Sequence, residues 1–183
     1  MSEDYMLEHT INKIAFELVN EKILDENEIN KLLGVLCNDG VYAMWVYALD
    51  KLKGSNRNHK TGVEVPKIIK LSSKIEKVSN YIKNGSLEKV SELTEEINSL
   101  ANEINNLQND LEQLQGDERN KKAEEKRQKE KEKLKKEEEI KEKINQYFLD
   151  LANNLENLLF FKELFEKILI YARYHAKAME DSK

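Results

Sequence analysis

The sequence is poor in the residues that interrupt helices. It has six glycines and a single proline, Pro66, among 183 residues. Tight turns and sheet edges draw on those residues, and helix interiors avoid them. The shortage argues against a strand-rich fold. A single cysteine, Cys37, excludes an intrachain disulfide and fits a reduced, cytoplasmic setting. No apolar run approaches the roughly 20 residues that a membrane helix needs. The opening Met1-Ser2-Glu3-Asp4 lacks the basic start and apolar stretch of a signal peptide. There is little charge of one sign: the net charge of −5 gives no overall attraction to nucleic acid.

What is present is charge of both signs and helical periodicity. Charged residues make up 36% of the chain, the composition of long helices. They are concentrated between Asp117 and Lys143, where 22 of 27 residues are charged, 12 basic and 10 acidic. Near-cancellation of the two signs favours a solvated spacer over a basic tract that binds nucleic acid.

Apolar residues at spacings of three and four predict a first helix over about residues 4–22, through Leu7, Ile11, Ile14, Ala15 and Leu18. Asp25 and Glu28 form a capping-box pattern ahead of Ile29, Leu32, Leu33 and Leu36. Asn38-Asp39-Gly40 reads as a turn. The third helix, with Val41, Met44, Trp45, Ala48, Leu49 and Leu52, also carries Tyr42, Val46 and Tyr47. A helix apolar on nearly all sides is expected to be buried, so this one is the expected centre of the core. Residues 54–65 read as loop. Pro66 suits the start of a fourth helix, with Asn84-Gly85 at its end.

From Ser86, a candidate cap, the pattern becomes strict. Val90, Leu93, Ile97, Leu100, Ile104, Leu107, Leu111 and Leu114 alternate spacings of three and four, a heptad seam. Gly116-Asp117 breaks it. The seam resumes at Leu134, Ile140, Ile144, Tyr147, Leu151, Leu155 and Leu158. The simplest arrangement folds Leu134–Leu158 back antiparallel on Val90–Leu114, leaving the charged run as a protruding tip. The rival is one long helix that pairs with a second chain. The segment from Asn157 to Met179 is too apolar to stand free, and is expected to pack on the third helix. The predicted fold is all-α: a helical-bundle head formed from both termini (1–85 and 157–183) with an inserted antiparallel coiled-coil arm (86–156, charged tip about 115–133).

Chemistry-bearing constellations are scarce. His9, His59 and His175 have no ligand spacing, so no metal site is expected. Cys37, beside Leu36, reads as a small core residue. There is no glycine-rich phosphate loop, no cofactor motif and no pairing that points to an enzyme. Two basic groups stand out. Arg57, His59 and Lys60 precede Lys67 and Lys70. Arg173, His175 and Lys177 are interleaved with Tyr171 and Tyr174. Such sets can hold a phosphate backbone and stack bases, although an ordinary polar loop and helix face would read the same way.

Two stretches carry a resemblance. Ile14-Ala15-Phe16-Glu17-Leu18-Val19 precedes Lys31-Leu32-Leu33-Gly34-Val35-Leu36-Cys37-Asn38-Asp39-Gly40-Val41-Tyr42-Ala43-Met44-Trp45. Ile168-Leu169-Ile170-Tyr171-Ala172-Arg173-Tyr174-His175-Ala176-Lys177-Ala178 follows near the end. Together, over about residues 5–53 and 158–180, they resemble the small-subunit family of type III-B, Cmr-type, CRISPR effector complexes. The sequence departs from that family at Gly34, where Pro is usual, and at Val41, where Leu is. The resemblance implies a non-catalytic, all-helical subunit in antiviral defence. It would contact backbone subunits and copies of itself, and help hold target RNA within a guide-RNA complex. Clustering within this sequence makes Arg57, Lys60, Lys67, Lys70, Arg173 and Lys177 the candidate RNA-backbone contacts. The competing expectation is a coiled-coil adaptor or self-associating scaffold without nucleic acid. No membrane or small-molecule partner is expected under either.

Overall fold

A computed structural model describes residues 3–52, 63–83 and 87–180. Among these the chain is all-helical, with seven helices and no strand. They are α1 (Glu3–Asn20), α2 (Glu26–Asp39), α3 (Val41–Lys51), α4 (Lys67–Ser79), α5 (Val90–Gln113), α6 (Gly116–Leu151) and α7 (Leu155–Glu180). No helix is long and apolar enough to cross a membrane among the described residues.

Local chemistry sets the joints. The Asp25 carboxylate accepts the Glu28 N–H at 2.8 Å, and the Glu28 carboxylate accepts the Asp25 N–H at 2.9 Å. This reciprocal cap starts α2 as the sequence predicts. One residue, Gly40, separates α2 from α3. Its φ of 92° and ψ of −176° lie where a β-carbon is strained, so glycine is required there. Pro66 caps α4, its fixed φ already suited to helix entry. Ser86 and Asn84-Gly85 lie outside the described residues. The start of α5 is capped from a distance: the buried Glu76 carboxylate of α4 accepts the N–H groups of Val90 (2.8 Å) and Ser91 (2.7 Å), and the Ser91 hydroxyl. The α4–α5 connection is tightened by Ser79, whose hydroxyl accepts the Leu87 N–H at 2.8 Å.

Side-chain pairs give the helix directions in the head. Glu8 meets Lys167 and Phe16 meets His175, so α1 and α7 run parallel. Glu17 meets Lys74 and Thr10 meets Tyr81, so α4 runs against α1. On the other flank of α7, Lys162 donates to the Cys37 carbonyl of α2 at 3.2 Å. The core centres on four rings, Trp45, Phe148, Phe161 and Phe165, each under 2% exposed. Their centroids lie 5.4–5.7 Å apart in sequence from Trp45 to Phe148 to Phe161 to Phe165.

This corrects the reading of α3 as a helix buried on every side. Tyr42 and Val46 are 43% and 46% exposed, and only Val41, Met44, Trp45 and Ala48 are buried. α3 turns one face to the core and is a minor neighbour of α7, which is held chiefly between α1 and α2.

The middle of the chain is an antiparallel helical hairpin within one molecule, the fold-back arrangement. Its register differs from expectation. The reversal falls at Leu114, Gln115 and Gly116, where Gly116 has φ +65°. The charged run is therefore no tip. It returns beside α5 as the first part of one continuous 36-residue helix. Glu96 pairs with Lys136, Glu103 with Lys129, and Asp110 with Lys122. The inward row of α6 is Lys133, Glu137, Ile140, Ile144, Tyr147 and Leu151, all buried. Leu134, expected in the seam, is 54% exposed, and Leu155 is 68% exposed at the start of α7. A lysine stem covers apolar surface while its ammonium reaches a carboxylate, as Lys133 does beside Glu137 in the buried row where Leu134 was expected. Below this stretch, Ile140–Leu151 enters the head core.

Candidate nucleic-acid interface

The hairpin leaves the head at the end where α1 finishes, α4 begins and α7 finishes. Asn105 of α5 marks the exit: it accepts the Val63 N–H at 2.6 Å and donates to the Val63 carbonyl at 3.2 Å. Beyond it, Gln108 and Asp110 bond to α6. Both predicted basic groups bear on this same end, because α4 starts and α7 stops there.

Their individual states differ. Arg57 and Lys60 lie outside the described residues. Lys67 donates to both carboxylate oxygens of Glu28, at 2.7 and 2.8 Å, so its charge is largely matched. Lys70 is half-buried and has no carboxylate partner among the described residues. It lines an open groove of about 440 Å³ with Lys22, Lys67, Glu21, Glu64 and Asn98. Arg173 is half-buried. Its guanidinium lies 5.5 Å from the Tyr174 ring centroid, and its Nε is buried without a hydrogen-bond partner. Lys177 is exposed in the last turn of α7 and also lacks a carboxylate partner among the described residues. The structure thus brings Lys67 and Lys70 into one groove and sets Arg173 and Lys177 beyond α1 on the same end of the head.

Between these groups lie the carboxylates of Glu17 and Glu21. Both turn toward Lys74, 6% exposed, at 2.7 and 3.1 Å, with Lys77 adding a 3.4 Å contact to Glu17. Burial works to raise the Glu17 carboxyl, but hydrogen bonds and charge from Lys74 and Lys77 outweigh it and hold Glu17 below the ordinary glutamate range. These two carboxylates are matched by Lys74 and Lys77, which leaves Glu64 as the acid that faces Lys22 and Lys70 in the groove.

Sequence reading missed Lys22 and Phe16. Lys22 follows α1 in a left-handed conformation, φ 53°. Its position just before the Asp25 cap was the available signal for a non-helical, outward lysine. Phe16, expected only as part of a packing motif, is 47% exposed.

The site is suited to holding phosphate with ammonium and guanidinium groups. Among the described residues no group of three or more His, Cys, Asp or Glu could hold a metal ion. Cys37 is exposed, not a core residue as expected, because the buried row of α2 is Ile29, Leu32 and Leu36 and Cys37 lies one step round. Its thiol donates to Glu166 at 3.5 Å. Desolvation, then the Glu166 carboxylate, push that thiol up, away from the thiolate a nucleophile needs.

No protein-family model, curated protein or solved structure matches the chain.

Proposed function

We propose that the chain is a non-catalytic small subunit of a type III-B, Cmr-type, CRISPR ribonucleoprotein, packing against backbone subunits and holding target RNA by its phosphates. One observation carries the reading: Lys22, Lys70, Arg173 and Lys177, none paired with a carboxylate among the described residues, gather at the end of the head from which the hairpin departs. The resemblance in residues 5–53 and 158–180 supports it, since those stretches build α1 to α3 and α7, which together make most of the head. Contacts of this kind are electrostatic and independent of sequence, so base pairing to a guide would supply specificity.

Filter binding of single-stranded RNA across a salt series tests the reading. Binding should weaken steadily with salt, and replacing Lys70 and Lys177 with Gln should flatten the slope by about one phosphate each. Absence of salt-sensitive binding, alone or with partner subunits, would sink it.

A scaffold or adaptor function is the second reading. It is favoured by the opposite end of the head, where Tyr42, Val46, Leu149, Leu155, Leu159 and Phe160 are all at least 36% exposed. Pull-down of protein partners with no RNA requirement would favour it.

A further inference from the structure

Phe16 and Tyr174 are large rings left in solvent at the cationic end of the head. Tyr174 is 59% exposed, and Arg173 lies over its ring. Phe16 meets His175 edge to face, with centroids 5.7 Å apart and planes at 81°. That geometry fixes the Phe16 ring upright against α7 without covering it. The neighbours of Phe16 along the outer face of α1 are Asn12, Lys13 and Asn20, all exposed. Lys177 stands one turn beyond Tyr174. The nearest acids of α1, Glu17 and Glu21, are drawn to Lys74.

A folded chain gains nothing from leaving two aromatic rings in water, since each could bury considerable area. Cations beside exposed rings match a ligand that is both anionic and flat-faced. Arg173, half-buried with its guanidinium over the Tyr174 ring, and the exposed Lys177 supply the cations. An unpaired nucleotide supplies what is missing: a phosphate for Arg173 and Lys177, and a base for a ring face.

We infer that Phe16, Tyr174 and His175 form a base-stacking subsite for single-stranded RNA, with Arg173 and Lys177 holding the adjoining phosphates. The inference rests on the RNA-binding reading and extends it from phosphate contact to stacking. Double-stranded RNA, whose bases are already stacked, should bind this subsite poorly.

The test compares the full chain with Phe16→Ala, Tyr174→Ala and the double variant. The probes are a fluorescein-labelled oligouridylate and the same ribose-phosphate strand with abasic sites. Both rings are exposed, so thermal melts of the variants should match the parent. The double variant should bind oligouridylate roughly tenfold more weakly, at the low end of one to two stacked bases, with an unchanged salt slope. Parent and variants should bind the abasic strand alike. Salt-sensitive binding that is equal in parent and double variant would overturn the stacking subsite and leave the phosphate reading standing. Equal losses on normal and abasic strands would also overturn it. No RNA binding by the parent at any salt would remove both.

Discussion

Glu96 and Lys136 face one another across the α5–α6 hairpin, carboxylate to ammonium at 2.6 Å, and the contact recurs at seven-residue steps. Moving up α5 to Glu103 and Asp110 matches moving back along α6 to Lys129 and Lys122. Every rung has its acid on α5 and its base on α6. A slip that set Glu132, Glu125 and Glu118 opposite these three acids would break all the rungs together, so the ladder disfavours that register where the α6 seam has few apolar residues.

Charge swaps should reveal this ladder. Glu103→Lys alone should lower amide protection in residues 107–126, where the hairpin stands clear of the head. Adding Lys129→Glu should restore it. Hydrogen exchange read residue by residue checks both, and equal protection in all three proteins would count against the ladder. Because the rungs are exposed, molar salt should have the same local effect while leaving Trp45 fluorescence unchanged.

The buried pair Lys133 and Glu137, 6% and 5% exposed, calls for a different experiment. Glu137→Ala leaves an ammonium in a seam that excludes water, and should cost about 3 kcal/mol. Lys133→Met with Glu137→Leu replaces the pair by apolar volume and should match or exceed the parent in stability. Urea melts of the three proteins give the comparison. A double replacement as unstable as the single one would show that the pair itself stabilises the seam.

The capping of α5 by Glu76 predicts a helix-specific defect. Glu76→Ala leaves the buried Val90 N–H and the Ser91 N–H without their acceptor and should cost about 1–3 kcal/mol. Ser91→Ala removes only a hydroxyl donor and should cost less. If the two variants melt alike, the cap contributes little.

Acid and base should weaken the fold from opposite sides. Charge and hydrogen bonds from lysines hold Glu17, despite the opposing effect of burial, and Glu103 below the ordinary range. Their contribution is fully present above the unfolded glutamate value of about 4.3 and is lost as pH falls through their lower folded values. Hydrogen bonds to carboxylates raise Lys129, Lys136 and Lys167. Their contribution is present below the unfolded lysine value of about 10.4 and is lost as pH rises through their higher folded values. Melting temperature against pH should therefore fall off below about pH 4 and above about pH 10.5 from these groups. A melting temperature flat down to pH 3 would contradict the acid limb.

Much of the fold was legible because its signals are local. The Asp25–Glu28 cap, the Gly40 turn and the α5 seam each follow from residues within a few positions of one another. The α6 register was not legible, because apolar periodicity selected Leu134 while the buried positions are taken by Lys133 and Glu137. A lysine pays no large desolvation cost when its stem is buried and its ammonium finds a carboxylate, and composition does not reveal which carboxylate. The Glu76 cap was hidden for a related reason, since its donors lie 14 and 15 residues away. At the candidate interface, the basic groups were visible as clusters. Their neutralisation was not: Lys67 is answered by Glu28, a residue that the sequence already assigns to capping.

A hairpin whose rungs recur at a fixed interval is a spacer of adjustable length. Inserting seven residues into α5 and seven into α6 between rungs would add one more matched step, extending the reach by about 10 Å. The head would keep its packing, because Ile140–Leu151 and Val90–Ile97 remain where they are. Insertion into α5 alone would move Glu103 level with Lys122 and carry Asp110 past the start of α6. Paired length changes in multiples of seven are therefore the only ones this architecture absorbs without rebuilding its electrostatics, and they offer a ruler for how far whatever lies at the turn must stand from the head.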